Sequence, residues 1–263
     1  MTLDWSYCVL DVHGDVVDEQ DADRVHATAS VGKLFLLCEA AELISAGALD
    51  PNRAVRRSPD MRVADSGLWQ HLRQEELPLA DVCQLIGAVS DNWATNTLLE
   101  LVGLDAVESR ASALGCTHST LHDYVRDKRL SVHPPTLSSG TARELAEVAR
   151  RIHVAASGGH VAGITTPAAV QVRQWLLAGV DLSLVGARFH LDPLAHMSGE
   201  VQLWSKTGFD SRVRADVGVG WCGERVRAYA ALATWPAGGG SDESPVELMN
   251  ALGGSLAAAL RGA

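Results

Sequence analysis

Hydrophobic residues alternate with polar ones mainly near the two ends of the chain. Residues 5–12 are rich in strand-forming side chains, and the turn His13-Gly14-Asp15 leads into Val16 and Val17, so a β-hairpin is predicted there. Three further strands are predicted in the last quarter, over residues 201–209, 213–222 and 225–235. Strands are therefore predicted near both ends of the chain.

Between these ends, apolar residues recur at intervals of three and four, the spacing that places them on one face of an α-helix. The segment 79–89, for example, carries Val82, Leu85, Ile86 and Val89. The predicted helices run from Ser30 to about Gly47, then over residues 79–89, 94–102, 104–114, 141–154 and 167–177, and a closing helix at 245–260 follows a loop at Gly238-Gly239-Gly240.

Strands at both ends and helices between them predict a two-lobed α/β (α+β) protein. We expect residues 1–24 and 198–263 to form one lobe, in which the terminal strands pair into a five-stranded antiparallel sheet with a flanking helix. Residues 25–197 would form an all-helical lobe, and 263 residues suffice for a sizeable core. A cleft between two lobes is the usual place for a small-molecule ligand.

Composition narrows the possible partners. The net charge of −10 argues against nucleic acid and against an anionic membrane surface. No apolar run reaches the ~20 residues of a membrane span, and no secretory leader precedes the first strand. The five widely spaced cysteines predict reduced, buried thiols, so we expect a cytoplasmic protein. His118, His122 and His133 lack metal-ligand spacing, and neither a metal nor another cofactor is predicted.

The segment Ser30-Val31-Gly32-Lys33 carries the first candidate chemistry. Residues three apart lie on one face of a helix, so the Lys33 amine can reach the Ser30 hydroxyl. Unpaired N–H groups at the helix start favour an oxyanion beside Ser30, and the apolar surroundings of Lys33 would lower its pKa. The segment is typical of an activated nucleophile, although Ser30 could instead be a simple helix cap.

Two further motifs follow in the chain. Ser90-Asp91-Asn92 lies in a break between two predicted helices, and Lys206-Thr207-Gly208 lies on the first strand of the last quarter. With Ser-x-x-Lys, this order resembles the penicillin-recognising active-site-serine enzymes, in particular the class A β-lactamases and their relatives. The resemblance covers nearly the whole chain and implies the β-lactamase-like fold.

The resemblance also implies roles for individual residues. Ser30 would be the acylated nucleophile, Lys33 its base or part of the relay, and Ser90 the proton shuttle to the leaving group. Asn92 would hold a substrate amide. Lys206, as a fourth catalytic residue, and Thr207 would hold a substrate carboxylate and set the field around Ser90. Gly208 would let the strand approach the substrate closely, and the N–H groups of Phe209 and Ser30 would form the oxyanion hole.

One part of the family pattern is missing. Class A β-lactamases carry a glutamate in a Glu-x-x-Leu-Asn run after the second motif, and it activates the water that clears the acyl-enzyme. The corresponding segment, 115–140, contains no glutamate, and its acids are Asp123 and Asp127. His122-Asp123-Tyr124 could replace the base or could form a polar surface loop.

These observations predict a serine hydrolase that forms an acyl-enzyme with an amide, ester or β-lactam carbonyl, on a small molecule with a nearby carboxylate. Three alternatives stay open: a β-lactamase with a replaced base, a transacylase or esterase of a metabolite pathway inside the cell, and a non-catalytic binding module. Burst kinetics with a chromogenic cephalosporin would separate them.

Three other features bear on the site and on assembly. Trp69 resembles the aromatic wall of the family's cleft mouth, or else is a core residue, and Arg212 and Arg214 could bind a substrate carboxylate. The family usually has a helix before the first strand, and we expect none here because the sequence opens on the strand. We therefore expect an exposed apolar patch or a partner subunit, such as a second copy, on that sheet face.

Overall fold

The computed structural model describes residues 3–237 and 243–262, so the predicted loop at Gly238–Gly240 lies outside the described residues. The strands are β1 (Asp4–Leu10), β2 (Val16–Gln20), β3 (Val25–Ala27), β4 (Ala54–Arg56), β5 (Glu76–Pro78), β6 (Thr120–Leu121), β7 (Ser138–Thr141), β8 (Gln202–Asp210), β9 (Val213–Cys222) and β10 (Arg225–Thr234). The helices are α1 (Lys33–Ser45), α2 (Leu79–Val89), α3 (Asn92–Val102), α4 (Leu104–Ala113), α5 (Ala142–Ala156), α6 (Thr166–Leu177) and α7 (Glu243–Arg261).

Strands from both ends of the chain form one five-stranded antiparallel sheet in the order β2-β1-β10-β9-β8, which confirms the predicted fold class. The segment 25–197 is mainly helical but not all-helical as predicted, because it also contains the short strands β3 to β7. The amino-terminal strand pairs along its whole length with β10, from Asp4 opposite Thr234 to Leu10 opposite Ala228. This pairing leaves β8, which carries Lys206, at the sheet edge that faces the helical layer around α1 and α2.

The sheet separates two hydrophobic layers. One face packs on the central helices, with α1 so apolar that Leu34, Phe35, Leu36 and Leu37 are all completely buried. The other face packs on α7 and on a short helical turn at Val185–Phe189. Because α1 is surrounded by other elements, the site at its amino-terminal end rests on a rigid core.

The outer part of the first hairpin is less well covered. Trp5 and Tyr7 are only partly buried against the α7 layer, and Val16 and Val17 are about half exposed. The exposed apolar patch or partner subunit expected on the sheet face stays a prediction. In the described part of the chain, no helix combines the length and apolar character that crossing a membrane requires. All five cysteines are buried free thiols.

Candidate active site

The candidate site is a cavity of about 430 Å³ between the edge strand β8 and the helical layer. The three sequence motifs meet here, although 176 positions separate the first from the last (206 − 30). Six of the predicted site residues line the cavity: Ser30, Ser90, Asn92, Lys206, Thr207 and Phe209.

Ser30 lies in a tight 3₁₀ turn, Ala29–Gly32, that connects β3 to α1. Ala29 has a φ of +47°, in the left-handed region that favours glycine, at a cost on the order of 1–2 kcal/mol. The hydroxyl of Ser138 donates to the Ala29 carbonyl at 2.6 Å and bonds the Thr28 hydroxyl at 2.7 Å. These buried bonds hold the strained turn, so the position of Ser30 is fixed before any ligand binds.

Lys33 is completely buried directly behind the cavity. Its Nζ donates to the Ser90 carbonyl oxygen at 2.7 Å and to Asn92 Oδ1 at 2.8 Å, and it lies 3.2 Å from Ser90 Oγ. Burial lowers the pKa of Lys33 well below its usual value, and the charge of Lys206 lowers it further. Among the described residues none of its hydrogen bonds reaches Ser30, so the direct Ser30–Lys33 bond expected from their spacing is not formed.

The hydroxyl of Ser90 lies between two buried lysines. Ser90 Oγ is 3.2 Å from Lys33 Nζ and 3.0 Å from Lys206 Nζ. Ser90 adopts a left-handed conformation, φ +54° and ψ +35°, where α2 ends, and this sharp turn directs the segment toward the cavity. A hydroxyl that contacts both amines can pass a proton between the cavity and either of them.

Asp91, which received no role from the sequence, fixes this segment. Its Oδ1 accepts from the Ala94 N–H at 2.9 Å as the cap of α3, and its Oδ2 accepts from the Trp69 N–H at 2.8 Å. A Cβ at Gly67 would lie 2.3 Å from the Asp91 carboxyl carbon, so this contact requires glycine. An aspartate directly before a helix is the signal that predicts such a cap.

Lys206 extends from β8 into the same buried region. Its Nζ donates to Ser90 Oγ and to the Thr207 carbonyl oxygen at 2.8 Å. Burial lowers the pKa of Lys206 to about 8, while the charges of Asp181 and Asp216 limit the decrease. Behind it, burial raises the pKa of Asp216 to about 7, and that carboxylate accepts from the Val185 N–H at 3.0 Å.

Thr207 has a partner that the sequence did not indicate. Its hydroxyl donates to Asp181 Oδ2 at 2.7 Å, and both residues line the cavity. Ser183 holds the other carboxylate oxygen, from its N–H at 3.1 Å and its hydroxyl at 2.6 Å. Asp181 follows α6 in a segment with neither periodicity nor motif, so only the folded structure places it at Thr207.

Gly208 allows β8 to pass close to the nucleophile. A Cβ at this position would lie 2.3 Å from the Thr28 carbonyl oxygen and 3.2 Å from the backbone nitrogen of Ser30. The predicted close approach is therefore to the turn that carries Ser30. The next residue, Phe209, lines the cavity with a ring that is 44% exposed.

Asn92 reaches the site through both ends of its amide. Its Oδ1 accepts from Lys33, and its Nδ2 donates to the Ala64 carbonyl oxygen at 2.9 Å. Because an amide nitrogen has two hydrogens, one N–H remains for a ligand in the cavity that Asn92 lines.

The prediction that Trp69 forms a wall at the cleft mouth is wrong. Its side chain is completely buried, and its indole N–H donates to the Gln74 carbonyl oxygen at 2.9 Å. The ring packs beside Trp93, with centroids 6.5 Å apart, and is not among the residues that line the cavity. Trp69 begins the short helical turn Trp69–His71 and is buried there. It is therefore a core residue, which was the alternative stated for it.

The two arginines that follow the third motif do not line the cavity either. The Arg214 guanidinium is buried over the rings of Phe209 and Trp235 and donates to the carbonyl oxygens of Asp210 and Val213. A substrate carboxylate in the cavity would therefore not meet Arg212 or Arg214 as these side chains are placed.

The suggested replacement base, His122-Asp123-Tyr124, also lies off the cavity. His122 Nε2 bonds the Ser139 hydroxyl at 2.8 Å. Burial alone would raise the pKa of Asp123, but the hydrogen bonds from Arg126 and Arg129 outweigh it and lower that pKa. Asp123 is thus a structural anchor of its loop.

Val125 lies in the same loop and lines the cavity, and its backbone is held by Asn96. Its N–H donates to Asn96 Oδ1 at 2.8 Å, and its carbonyl oxygen accepts from Asn96 Nδ2 at 2.9 Å. Its apolar side chain lines the cavity with Ser30 and Asn92. In the described part of segment 115–140, Asp127 is the carboxylate that lines the cavity, and it is exposed and accepts from the Ala64 N–H.

The fold and the converging motifs together define the class of β-lactamase-like proteins. A β-lactamase from Sphaerobacter thermophilus superposes with a TM-score of 0.81 at 22% identity, over 97% of this chain and 90% of that one. The protein PBP-A gives a TM-score of 0.80 at 17% identity, over 99% and 91% of the two chains. A chromosome-encoded β-lactamase of Vibrio parahaemolyticus gives 0.76 at 15% identity, over 97% and 92%. At these identities the superpositions establish the fold alone.

Family membership follows from the sequence. The model of the Beta-lactamase enzyme family matches residues 3–260, so this chain belongs to that family. No curated protein matches the sequence.

Proposed function

We propose that this protein is a serine hydrolase or acyltransferase that forms an acyl-enzyme at Ser30 with an amide, ester or β-lactam carbonyl. The observation that carries the proposal is the position of the Ser90 hydroxyl, 3.2 Å and 3.0 Å from two buried lysine nitrogens in the cavity that Ser30 lines. Family membership supports the same chemistry.

The hydrogen-bond pattern suits a neutral Lys33 as the base. A neutral amine has two N–H groups and one lone pair, and two carbonyl-type acceptors, Ser90 O and Asn92 Oδ1, occupy the N–H groups. The lone pair then remains for a proton from a hydroxyl, and the lowered pKa of Lys33 favours this form at neutral pH. Lys206, with a pKa of about 8, stays largely protonated and supplies positive charge beside Ser90.

In the proposed reaction, Ser30 Oγ attacks the carbonyl carbon while its proton passes through the Ser90 hydroxyl to Lys33, since Lys33 contacts Ser90 and, of the hydrogen bonds that the structure describes for it, none reaches Ser30. The N–H groups of Ser30 and Phe209 would stabilise the oxyanion, and each such donor typically contributes about 10²–10³ in rate. Collapse breaks the C–N or C–O bond, and Ser90 gives its proton to the leaving atom. The Lys33 proton then restores the Ser90 hydroxyl, so the relay returns to its starting state with Ser30 acylated.

We expect release of the acyl group from Ser30 to be the slow step of the reaction. The loop over the cavity presents the apolar Val125, and the suggested base at 122–124 lies elsewhere. This arrangement favours a long-lived acyl-enzyme and, as a second candidate function, transfer of the acyl group to an acceptor other than water. A variant of PBP-A has been determined as an acyl-enzyme complex with penicillin G, and we propose that this chain forms such complexes as well.

Intact-mass measurement after incubation with penicillin G or p-nitrophenyl acetate tests the proposal. We expect wild type to gain one acyl mass that maps to the peptide with Ser30, and Ser30→Ala to gain none. Acylation of Ser30→Ala at the wild-type rate would contradict the nucleophile assignment. No acylation of wild type by either compound would favour a binding module without catalysis.

Substitution of Gly208 probes the geometry around the nucleophile. Gly208→Ala is expected to slow acylation by p-nitrophenyl acetate about tenfold or more, because the added methyl must displace the turn that carries Ser30, and such overpacking costs about 1–3 kcal/mol. The measurement is the initial rate, with thermal unfolding as a check on folding.

Gly254→Ala is the matched control. No atom lies within 4 Å of a Cβ there, and the residue is inside α7, so this change should leave the rate unchanged and stabilise the helix by about 0.5–1 kcal/mol. Equal rates for Gly208→Ala and Gly254→Ala would show that β8 does not constrain Ser30.

A further inference from the structure

From the position of Asp181 we infer that the preferred substrates carry a positive charge, not a carboxylate, beside the scissile carbonyl. This inference rests on the proposed function, since it concerns which acyl donor the same cavity selects. It replaces the substrate carboxylate that the resemblance to the family implied.

The Thr207 hydroxyl is already engaged by Asp181. A substrate carboxylate bound at Thr207 needs that hydroxyl as a donor, but the hydroxyl already donates to Asp181 Oδ2 at 2.7 Å. A second carboxylate at this point would lie within a few ångströms of the first, and like charges at such distances repel strongly where water is excluded. Thr207 is therefore an unfavourable anchor for an anion.

The carboxylate of Asp181 is held in place by three hydrogen bonds from neutral donors. Ser183 donates two of them to Oδ1, and Thr207 donates one to Oδ2. Asp181 is also partly open to the cavity that it lines.

The cavity wall near Asp181 carries a second carboxylate, that of Asp210. Asp210, at the end of β8, lines the cavity on the same side as Thr207 and Phe209. The nearby cations Lys206 and Arg214 are both buried and engaged. Lys206 Nζ donates to Ser90 Oγ and to the Thr207 carbonyl oxygen, and the Arg214 guanidinium lies over the Phe209 ring and donates to the Asp210 carbonyl oxygen. The arginines that line the cavity, Arg126 and Arg129, belong to the opposite loop and are paired with Asp123.

A cationic group on the substrate would fit this wall. An ammonium, quaternary ammonium or guanidinium on the solvent side of Asp181 would pair with its carboxylate and lie next to Asp210, while the carbonyl reaches Ser30. Phe209 lies at the same edge, but its ring already contacts the Arg214 guanidinium, so the proposed partner of the substrate cation is the Asp181 carboxylate.

The experiment uses three p-nitrophenyl esters with the same three-methylene chain, which ends in a trimethylammonium group, a tert-butyl group or a sulfonate. Wild type is expected to be acylated about fivefold faster by the cationic ester than by the neutral one, and slowest by the sulfonate (an exposed charge pair contributes up to about fivefold). For each ester, the rate measured with Ser30→Ala is subtracted, so that only Ser30-dependent acylation is compared.

Asp181→Asn is expected to bring the cationic-to-neutral rate ratio to within about twofold of one, whatever its effect on the absolute rates through Lys206. The ratio is the useful readout, because any change in Lys206 or Ser90 affects both esters equally. Asp192→Asn removes one negative charge from an exposed residue away from the cavity and should leave the ratio at its wild-type value.

Two results would overturn the inference: a wild type that prefers the sulfonate, or a rate ratio that Asp181→Asn leaves unchanged. Both would still show Ser30-dependent acylation, so the proposed function would stand. Absence of Ser30-dependent reaction with all three esters would instead reject the proposed function and this inference together.

Discussion

Lys33→Met is expected to slow acylation of Ser30 by about 10³–10⁴-fold, the upper range of what a positioned general base contributes. Methionine keeps the unbranched shape that fills the buried space and removes only the amine. The variant also leaves the Ser90 carbonyl oxygen and Asn92 Oδ1 without their donor, at about 1–3 kcal/mol of stability for each unsatisfied group.

The rate of acyl mass gain with p-nitrophenyl acetate measures the effect, and circular dichroism and thermal unfolding show whether the variant is folded. Lys128→Met is the control, because Lys128 is exposed and does not line the cavity. A folded Lys33→Met protein that reacts at the wild-type rate would show that another group takes the Ser30 proton.

The pH dependence of acylation identifies Lys33 as the base independently of stability. In wild type the rate should rise with pH as Lys33 loses its proton, at a pH well below the usual lysine pKa. The rate should fall again above about pH 8, where Lys206 loses the charge that assists Ser90. The rising limb should disappear from the residual activity of Lys33→Met, and its persistence would assign it to another group.

Local sequence patterns were sufficient for the sheet, most helices and the converging motifs. Strand alternation and helix periodicity depend on neighbours in the chain, and the motif residues follow the turns that place them, as Ser90 does at the end of α2. The strained turn at Ala29 was not foreseen, because a left-handed alanine is held by Ser138, 109 positions away.

The positions of Trp69 and Asp181 could not be predicted from the sequence, because they are determined by tertiary contacts. Trp69 follows Leu68 at the end of an irregular segment, and only the packing against Trp93 decides that its ring turns inward. Asp181 acquires its importance from a hydrogen bond to Thr207, which the sequence separates from it by 26 positions. Such pairs leave no periodic signal, so single-sequence reasoning cannot find them.

The loop over the cavity leads to the second large prediction. Val125→Glu is expected to accelerate release of the acyl group by about 10²-fold, the lower range for a positioned general base. The side chain of residue 125 lines the cavity with Ser30, and Asn96 holds its backbone at both the N–H and the carbonyl oxygen. A glutamate there would start from a fixed Cα and extend toward the ester bond of the acyl-enzyme.

Two features of the loop favour the ionised glutamate that this role requires. Arg126 and Arg129 line the same cavity, and nearby guanidinium groups lower the pKa of a carboxyl. Val125 is only partly buried, so water can reach the new carboxylate. The acylation rate should change little, because Lys33, Ser90 and Lys206 are untouched.

The measurement is the decay of the penicillin G adduct by intact mass after excess compound is removed, together with steady-state turnover. Val132→Glu is the matched control: it introduces the same side chain into the same loop, at a valine that is 83% exposed. Faster decay in Val125→Glu alone would show that a missing carboxylate limits hydrolysis in this chain. Equal decay in wild type and both variants would instead place the limit in the access or orientation of water, and would leave transfer to another acceptor as the route by which Ser30 is freed.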